Sequence, residues 1–67
     1  MKYLKKLRAK RKLTLREGAK QLGISSACLS YYENGKRSVS IEMLFKLSEV
    51  YKVRPQTILK HFKEEEK

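Results

Sequence analysis

The sequence predicts an all-α fold of five short helices, on three observations. Apolar residues recur at the three- and four-residue spacing of a helix in five separate segments of the chain. Thr14, Ser25 and Ser40, whose side chains favour helix N-caps, each stand directly before one of these segments. No segment alternates polar and apolar residues as a half-buried strand would. We therefore expect helices throughout.

The first two predicted helices cover residues 2–11 and 15–22. Thr14 and Glu17 have the spacing of a capping box, in which each side chain binds the backbone N–H of the other residue. Gly18 weakens the second helix by about 1 kcal/mol relative to alanine. Nothing local accounts for this glycine, so we expect a packing reason. The residues expected to face the core in these helices are Leu4, Leu7, Ala19 and Leu22.

A tight turn joins the second predicted helix to a third, over residues 26–33. Gly23 follows the second helix at the position where left-handed backbone costs glycine least. Leu29 and Tyr32, one turn apart, predict the buried side of the third helix. This layout is that of a helix-turn-helix, whose second helix enters the major groove of DNA. The alternative is a helical hairpin with no partner.

Two further helices are predicted at 41–51 and 55–62. Asn34-Gly35 before them is typical of a hairpin turn, but its flanks do not alternate, so it ends the third helix. Pro55 is allowed at the first helical position and begins the fifth helix. A broad buried stripe is expected on the fourth helix, formed by Ile41, Leu44, Phe45, Leu47 and Tyr51, with Ser48 on the same side.

Length and charge restrict the function. The 67 residues suffice for one domain, with a predicted core at 3–62 and a charged tail at 63–67 that we expect to fray. Residues 1–37 hold eleven basic and two acidic side chains, +9, whereas 38–67 hold six and five, +1. Because the basic half contains the helix-turn-helix, nucleic acid is the favoured partner. A cationic surface that only keeps the protein soluble is the alternative.

Several classes of function lack the residues they need. The single Cys28 excludes an internal disulfide, and no cysteine–histidine cluster could hold a metal ion. Cys28 and His61 lie in different predicted helices without a third orienting group, so we expect no enzyme activity, cofactor or small-molecule ligand. No apolar run is long enough for a membrane span, and no signal peptide is visible. A cytoplasmic location fits these features. Cys28 is expected to fill a half-buried space, with a redox-sensing thiol as the alternative.

Four segments of the chain resemble one family. They are LKKLRAKRKLT at 4–14, AKQLGIS at 19–25, YENGKR at 32–37 and SIEMLFKL at 40–47. Together they resemble the Xre/Cro/phage-repressor, or lambda-repressor-like, helix-turn-helix family over about residues 3–62. The resemblance implies a compact five-helix domain that binds operator DNA, usually as a two-fold dimer on a palindromic site.

The first turn of the third helix is expected to contact DNA bases. This part of the recognition helix faces base edges in the motif, and Ser26, Ala27 and Tyr31 match base-reading positions in similar proteins. Serine hydrogen-bonds several bases, whereas alanine offers only contact with a thymine methyl group. Tyr31 is therefore the strongest candidate for a base or phosphate contact. A half-buried surface aromatic is the alternative for Tyr31, and Tyr32 is expected to point into the core.

Phosphate contacts are expected on both sides of the recognition helix. Arg16 stands in the first turn of its helix, where a cation opposes the helix dipole, which suggests an external anion. The family usually has a DNA-contacting glutamine at the position of Leu15, and Arg16 is a candidate to replace it. The resemblance implies further phosphate contacts from Ser30, Asn34, Lys36 and Arg37. Ordinary solvated side chains are the alternative.

The resemblance also implies a buried ion pair between Arg8 and Glu33, joining the first helix to the end of the third. Dimerisation through leftover apolar residues of the last helix is a further hypothesis, involving Ile58, Leu59, Phe62 and also Phe45. A requirement of the core would account for the same residues.

The leading functional hypothesis is a sequence-specific transcriptional repressor that occupies an operator as a homodimer. The alternative is an antitoxin-like or anti-regulator module whose main partner is another protein, which a sizeable exposed apolar patch would favour. A membrane-surface helix is not expected, because the basic residues are spread over several short helices.

Overall fold

Five α-helices make up the fold in the computed structural model, which describes residues 2–65. They are α1 (Lys2–Lys10), α2 (Leu15–Leu22), α3 (Ser26–Glu33), α4 (Ile41–Tyr51) and α5 (Pro55–Glu65). No strand occurs within the described residues. The predicted all-α class is therefore confirmed.

The helix limits follow the local sequence signals closely. The bounds of α2, α3 and α4 are those predicted, and α1 ends one residue earlier than expected. The prediction for α5 was too short, since the helix continues through Lys63 and Glu64 to Glu65. Lysine and glutamate favour helices, and Glu64 lies 4.0 Å from His61 at i,i+3. The last two residues of the predicted charged tail, 66–67, lie outside the described residues.

Side-chain caps begin the three middle helices. The Thr14 hydroxyl accepts from the Glu17 backbone N–H at 3.1 Å, and the Glu17 carboxylate accepts from the Thr14 N–H at 2.8 Å. This backbone hydrogen bond from Thr14 lowers the pKa of Glu17. Ser25 and Ser40 cap α3 and α4 through bonds of 3.1 Å to backbone N–H groups. These caps satisfy donors that a helix start leaves without partners.

A single hydrophobic core lies between the helices. α3 packs against both α1 and α2, and α4 packs against α2 and α5. α3 is thus held by α1 and α2 through its buried face. The buried core residues are Leu4, Leu7, Ala19, Leu22, Leu29, Tyr32, Leu47, Tyr51 and Ile58.

Two residues predicted to be buried on α4 are exposed. Ile41 is 72% exposed and Phe45 is 58% exposed. With a rotation of about 100° per residue, both lie more than a quarter-turn from the buried centre of the helix at Leu47. The core contacts of α4 instead include Met43 and Val50. The predicted stripe was too wide, because it combined a buried face with part of the opposite, exposed face.

The hypothesis that Ile58 helps to form a dimer interface is wrong. Ile58 is fully buried in the monomer, so its side chain has no surface to offer a second chain. Leu59 remains 42% exposed, while Phe62 is half-buried against the core. Only part of the proposed patch on α5 therefore faces outward.

Gly18 has the packing reason that the sequence could not supply. A Cβ at this position would lie 3.1 Å from Arg8 Cδ and 3.3 Å from both Leu29 Cδ2 and the Tyr51 hydroxyl. These three atoms belong to α1, α3 and α4. Glycine thus lets three helices approach α2 at one point, which offsets its low helix propensity.

The hydroxyl of Tyr51 is buried and has no hydrogen-bond partner within the described residues. An unpaired buried hydroxyl costs about 1–3 kcal/mol of desolvation. We therefore expect Tyr51→Phe to stabilise the domain by about 1 kcal/mol at pH 7, raising Tm by roughly 4–8 °C. Thermal melts followed by circular dichroism measure this shift, with Tyr31→Phe as the control because Tyr31 is largely exposed.

The same substitution has a second, pH-dependent effect. Burial raises the pKa of Tyr51 to about 12, so the folded state holds this proton more tightly than the unfolded state. The stability that the domain gains by holding this proton more tightly is fully present below the ordinary tyrosine pKa of about 10. It is lost as the pH rises toward 12. The advantage of Tyr51→Phe should therefore grow above pH 10. A lower Tm than that of the parent at pH 7 would contradict this account.

Candidate nucleic-acid interface

The turn between α2 and α3 has the backbone that a helix-turn-helix requires. Gly23 adopts a left-handed conformation with φ of 73° and ends α2. The N–H of Ile24 then donates to the carbonyl of Ala19 at 3.0 Å. α3 begins three residues after Gly23, at Ser26, and packs directly against α2. A side chain at Gly23 would be strained in this conformation.

The outer side of α3 carries the three residues expected to contact bases. Ser26 and Ala27 in its first turn are exposed, and Tyr31, one turn beyond Ala27, is 48% exposed. Leu29 and Tyr32 point into the core on the other side of the helix. Ser26, Ala27 and Tyr31 are therefore all available to a molecule that approaches α3 from outside.

Ser30 and Asn34 interact with one another at the end of α3. The Asn34 amide Nδ2 donates to the Ser30 carbonyl at 2.9 Å and lies 3.2 Å from the Ser30 hydroxyl. The backbone N–H of Asn34 also donates to the Ser30 carbonyl. The Asn34 side chain therefore binds a carbonyl group at the end of α3. A contact of Ser30 or Asn34 with DNA phosphate stays a prediction.

The basic pair Lys36 and Arg37 follows α3 in a loop that folds back onto it. Gly35 has a φ of 72°, and the Lys36 N–H donates to the Tyr31 carbonyl at 2.9 Å. Arg37 Nη1 lies 3.8 Å from the Cys28 sulfur on α3. The guanidinium thus stands beside α3, and no local sequence pattern predicts this contact with Cys28.

Arg16 lies in the first turn of α2 and is exposed. Arg16, Lys36 and Arg37 form no ion pair within the described part of the chain. Their charges are therefore not paired with any described carboxylate of residues 2–64. Such cations suit contact with phosphate oxygens.

Arg8 and Glu33 form a bidentate ion pair inside the domain. Arg8 Nε lies 2.8 Å from Glu33 Oε2, and Arg8 Nη2 lies 3.1 Å from Oε1. Arg8 Nη1 also donates to the Leu13 carbonyl at 2.9 Å. The hydrogen bond to Glu33 raises the pKa of Arg8 above its ordinary value. The pair joins α1 to the end of the recognition helix.

Residues 2–37 contain two acidic side chains, and each of them forms specific hydrogen bonds. Glu17 belongs to the α2 capping box, and Glu33 is buried against Arg8. The surface of residues 2–37 therefore has many cations and one exposed carboxylate, that of Glu17. This electrostatic surface favours a polyanion.

The sequence pattern of the helix-turn-helix family matches residues 4–58 of this chain, from α1 into α5. The chain belongs to the Xre/Cro-like helix-turn-helix family. It is thus a DNA-binding domain of the kind found in transcription regulators, in a family that is generally non-enzymatic. No curated protein and no solved structure matches the chain significantly.

Two other kinds of site are absent from the described residues of this helix-turn-helix domain. None of the helices described over residues 2–65 is both long and apolar enough to cross a bilayer. Within the same residues, no three histidine, cysteine or acidic side chains come together as metal ligands.

Proposed function

We propose that this helix-turn-helix domain is a sequence-specific transcriptional repressor that binds a palindromic operator as a homodimer. In this proposal α3 lies in the major groove, and Ser26, Ala27 and Tyr31 contact base edges. Arg16, Lys36 and Arg37 bind phosphates on either side of the groove, together with Ser30 and Asn34. Bound protein would block access to the operator.

The observation that carries this proposal is the combination of an open recognition helix with exposed cations on the segments that precede and follow it in the chain. The outer side of α3 is exposed from its first turn to Tyr31. Arg16 stands on the helix before it, and Arg37 is held against Cys28 by the loop after it. Base contacts and phosphate contacts thus have separate residues, as readout of DNA requires.

The short side chains of α3 determine how the operator would be read. A bidentate arginine or glutamine contact discriminates between bases by about 1–3 kcal/mol. Ser26 and Ala27 cannot make such a contact, and Tyr31 has a single hydroxyl. Direct readout by this surface is therefore weak. We expect part of the sequence preference to come from the shape and flexibility of the operator.

Exposed apolar residues on α4 and α5 support the dimer. Ile41, Phe45 and Leu59 remain at the surface, and they lie on two helices that pack against one another. Burying them against a second copy would remove apolar area from water. The same residues also fit a different protein partner, which is the antitoxin-like alternative.

Selection of bound duplexes from a random pool tests the proposal. We expect an enriched palindrome whose half-sites are about one helical turn apart, because two α3 helices of a dimer enter successive major grooves on one side of DNA. Light scattering of the purified protein at micromolar concentration should give a dimer. An enriched single half-site with a monomer in solution would contradict the palindromic dimer. Absence of any enriched sequence would instead favour the protein-interaction alternative.

A further inference from the structure

We propose that the outer face of α1 is a second contact surface for the phosphate backbone of double-stranded DNA, separate from the recognition helix. The surface consists of Lys5, Lys6 and Lys10, which are all exposed. Lys2, also exposed, extends it by one turn. With this surface one protomer would hold two stretches of duplex at once.

The proposed operator contact does not include Lys5, Lys6 or Lys10. The proposed operator contact relies on Arg16, Lys36 and Arg37, none of which belongs to α1. α1 has no acidic residue. Lys5, Lys6 and Lys10 form no ion pair with the described side chains of residues 2–64. Lys6 and Lys10 stand at i,i+4, where like charges weaken a helix, so this face lowers the stability of α1 and needs another explanation.

The packing of α1 directs this surface away from the recognition face. Leu4 and Leu7 are buried in the core, and Arg8 reaches inward to Glu33 on α3. Counted at about 100° per residue, Lys6 and Lys10 each lie about 160° around α1 from Arg8, so both stand on the side of the helix opposite the one that reaches α3. A straight duplex bound along α3 would therefore not reach Lys6 and Lys10. A second stretch of duplex is needed to use them.

The chemistry of the surface favours phosphates over other polyanions. Lys5 to Lys10 span about 7.5 Å along the helix axis at 1.5 Å per residue. That length corresponds to about two phosphates of one DNA strand. Binding in a membrane interface requires an apolar face that enters the lipid, whereas the apolar side of α1 is buried. Between the lysines the outer face adds only Ala9, so its chemistry is that of the lysine ammonium groups.

A two-duplex capture assay tests this inference. The protein is first bound to an immobilised duplex, and retention of a second, fluorescent duplex is then measured at 50 mM salt. The variant K5Q/K6Q/K10Q should retain at least ten-fold less of the second duplex than the parent. Its affinity for the first duplex, measured by anisotropy, should change by less than about three-fold.

The matched control is K46Q/K60Q/K63Q, which removes the same charge from exposed positions on α4 and α5. This control should capture the second duplex as the parent does. The charge-preserving variant K5R/K6R/K10R should capture it too. If the glutamine variant of α1 lost its cooperative melt, K6Q/K10Q would replace it, with a smaller expected loss.

Three results would overturn the inference. The parent could fail to retain a second duplex while binding the first one normally. The α1 variant could capture as well as the control, in which case the two recognition helices of a dimer hold the two duplexes. The α1 variant could lose binding to vesicles of anionic lipid while keeping duplex capture, which would assign the lysines to lipid headgroups. Failure to bind the first duplex would contradict the proposed operator function as well, so the two failures are distinguishable.

Discussion

Replacing Glu33 by alanine is expected to unfold the domain. The carboxylate receives two hydrogen bonds from Arg8 at 2.8 and 3.1 Å, and the two side chains are only 14% and 5% exposed, for Arg8 and Glu33 respectively. Removing one partner of a buried pair costs about 3–5 kcal/mol, because the remaining charge has no counter-ion. A chain of this length has a total stability of roughly 3–10 kcal/mol. A domain this small is expected near the low end of that range, and there the loss takes most or all of the stability.

Circular dichroism melts measure this effect directly. We expect Glu33→Ala to show no cooperative transition above 25 °C, whereas Glu17→Ala, which removes an exposed carboxylate, should lose far less. The double variant R8M/E33L should recover a cooperative melt, since replacing both partners by apolar side chains leaves no stranded charge. A Glu33→Ala protein that melts within a few degrees of the parent would show that the pair is not a main source of stability.

Local signals explain why the helix limits could be predicted from the sequence. Thr14, Ser25 and Ser40 are N-caps in the structure, and Gly23 has the positive φ that its position after α2 predicts. Each of these signals acts within four residues and needs no knowledge of the tertiary fold. The α5 terminus lacked such a signal, and there the prediction was three residues short.

Burial of a side chain depends on its neighbours in space, and the sequence predicted burial less well than it predicted helix limits. On α4 the apolar residues surround much of the helix, so periodicity could not distinguish the side of Leu47, which is buried, from that of Ile41 and Phe45, which are exposed. The reason for Gly18 also comes from atoms of three other helices.

The candidate site likewise has features that the local sequence predicts and features that depend on the tertiary fold. The exposure of Ser26, Ala27 and Tyr31 follows from helical periodicity once Leu29 and Tyr32 are assigned to the core. The contact between Arg37 and Cys28 depends on how the loop after α3 folds back, which no local pattern predicts. The helical phase of a recognition surface is therefore predictable, while the positions of its flanking loops require the structure.

The double variant K36Q/R37Q is expected to lose most of its affinity for the selected operator. If each protomer neutralises about four phosphates, a dimer engages about eight, and the logarithm of the affinity falls against the logarithm of the salt concentration with a slope near −7. Removing two cations from each protomer takes away four contacts at about 0.9 each. The slope should then change to about −3.6.

This change in slope predicts the size of the affinity loss. Extrapolated from equal affinities at 1 M salt, a difference of about 3.6 in slope gives a loss of more than a thousand-fold at 0.1 M salt. Anisotropy titrations from 0.05 to 0.4 M salt provide both quantities. The control K60Q/K63Q removes two exposed charges from α5, and its slope should stay near that of the parent.

Slope and affinity together distinguish phosphate binding from a structural role of the loop. Arg37 contacts Cys28 on α3, so its loss could displace the recognition helix and weaken base contacts without changing the number of ions released. In that case the affinity would fall at every salt concentration and the slope would remain near −7. A parallel displacement of the two salt curves would therefore refute the phosphate role of Lys36 and Arg37, whereas converging curves at high salt would support it.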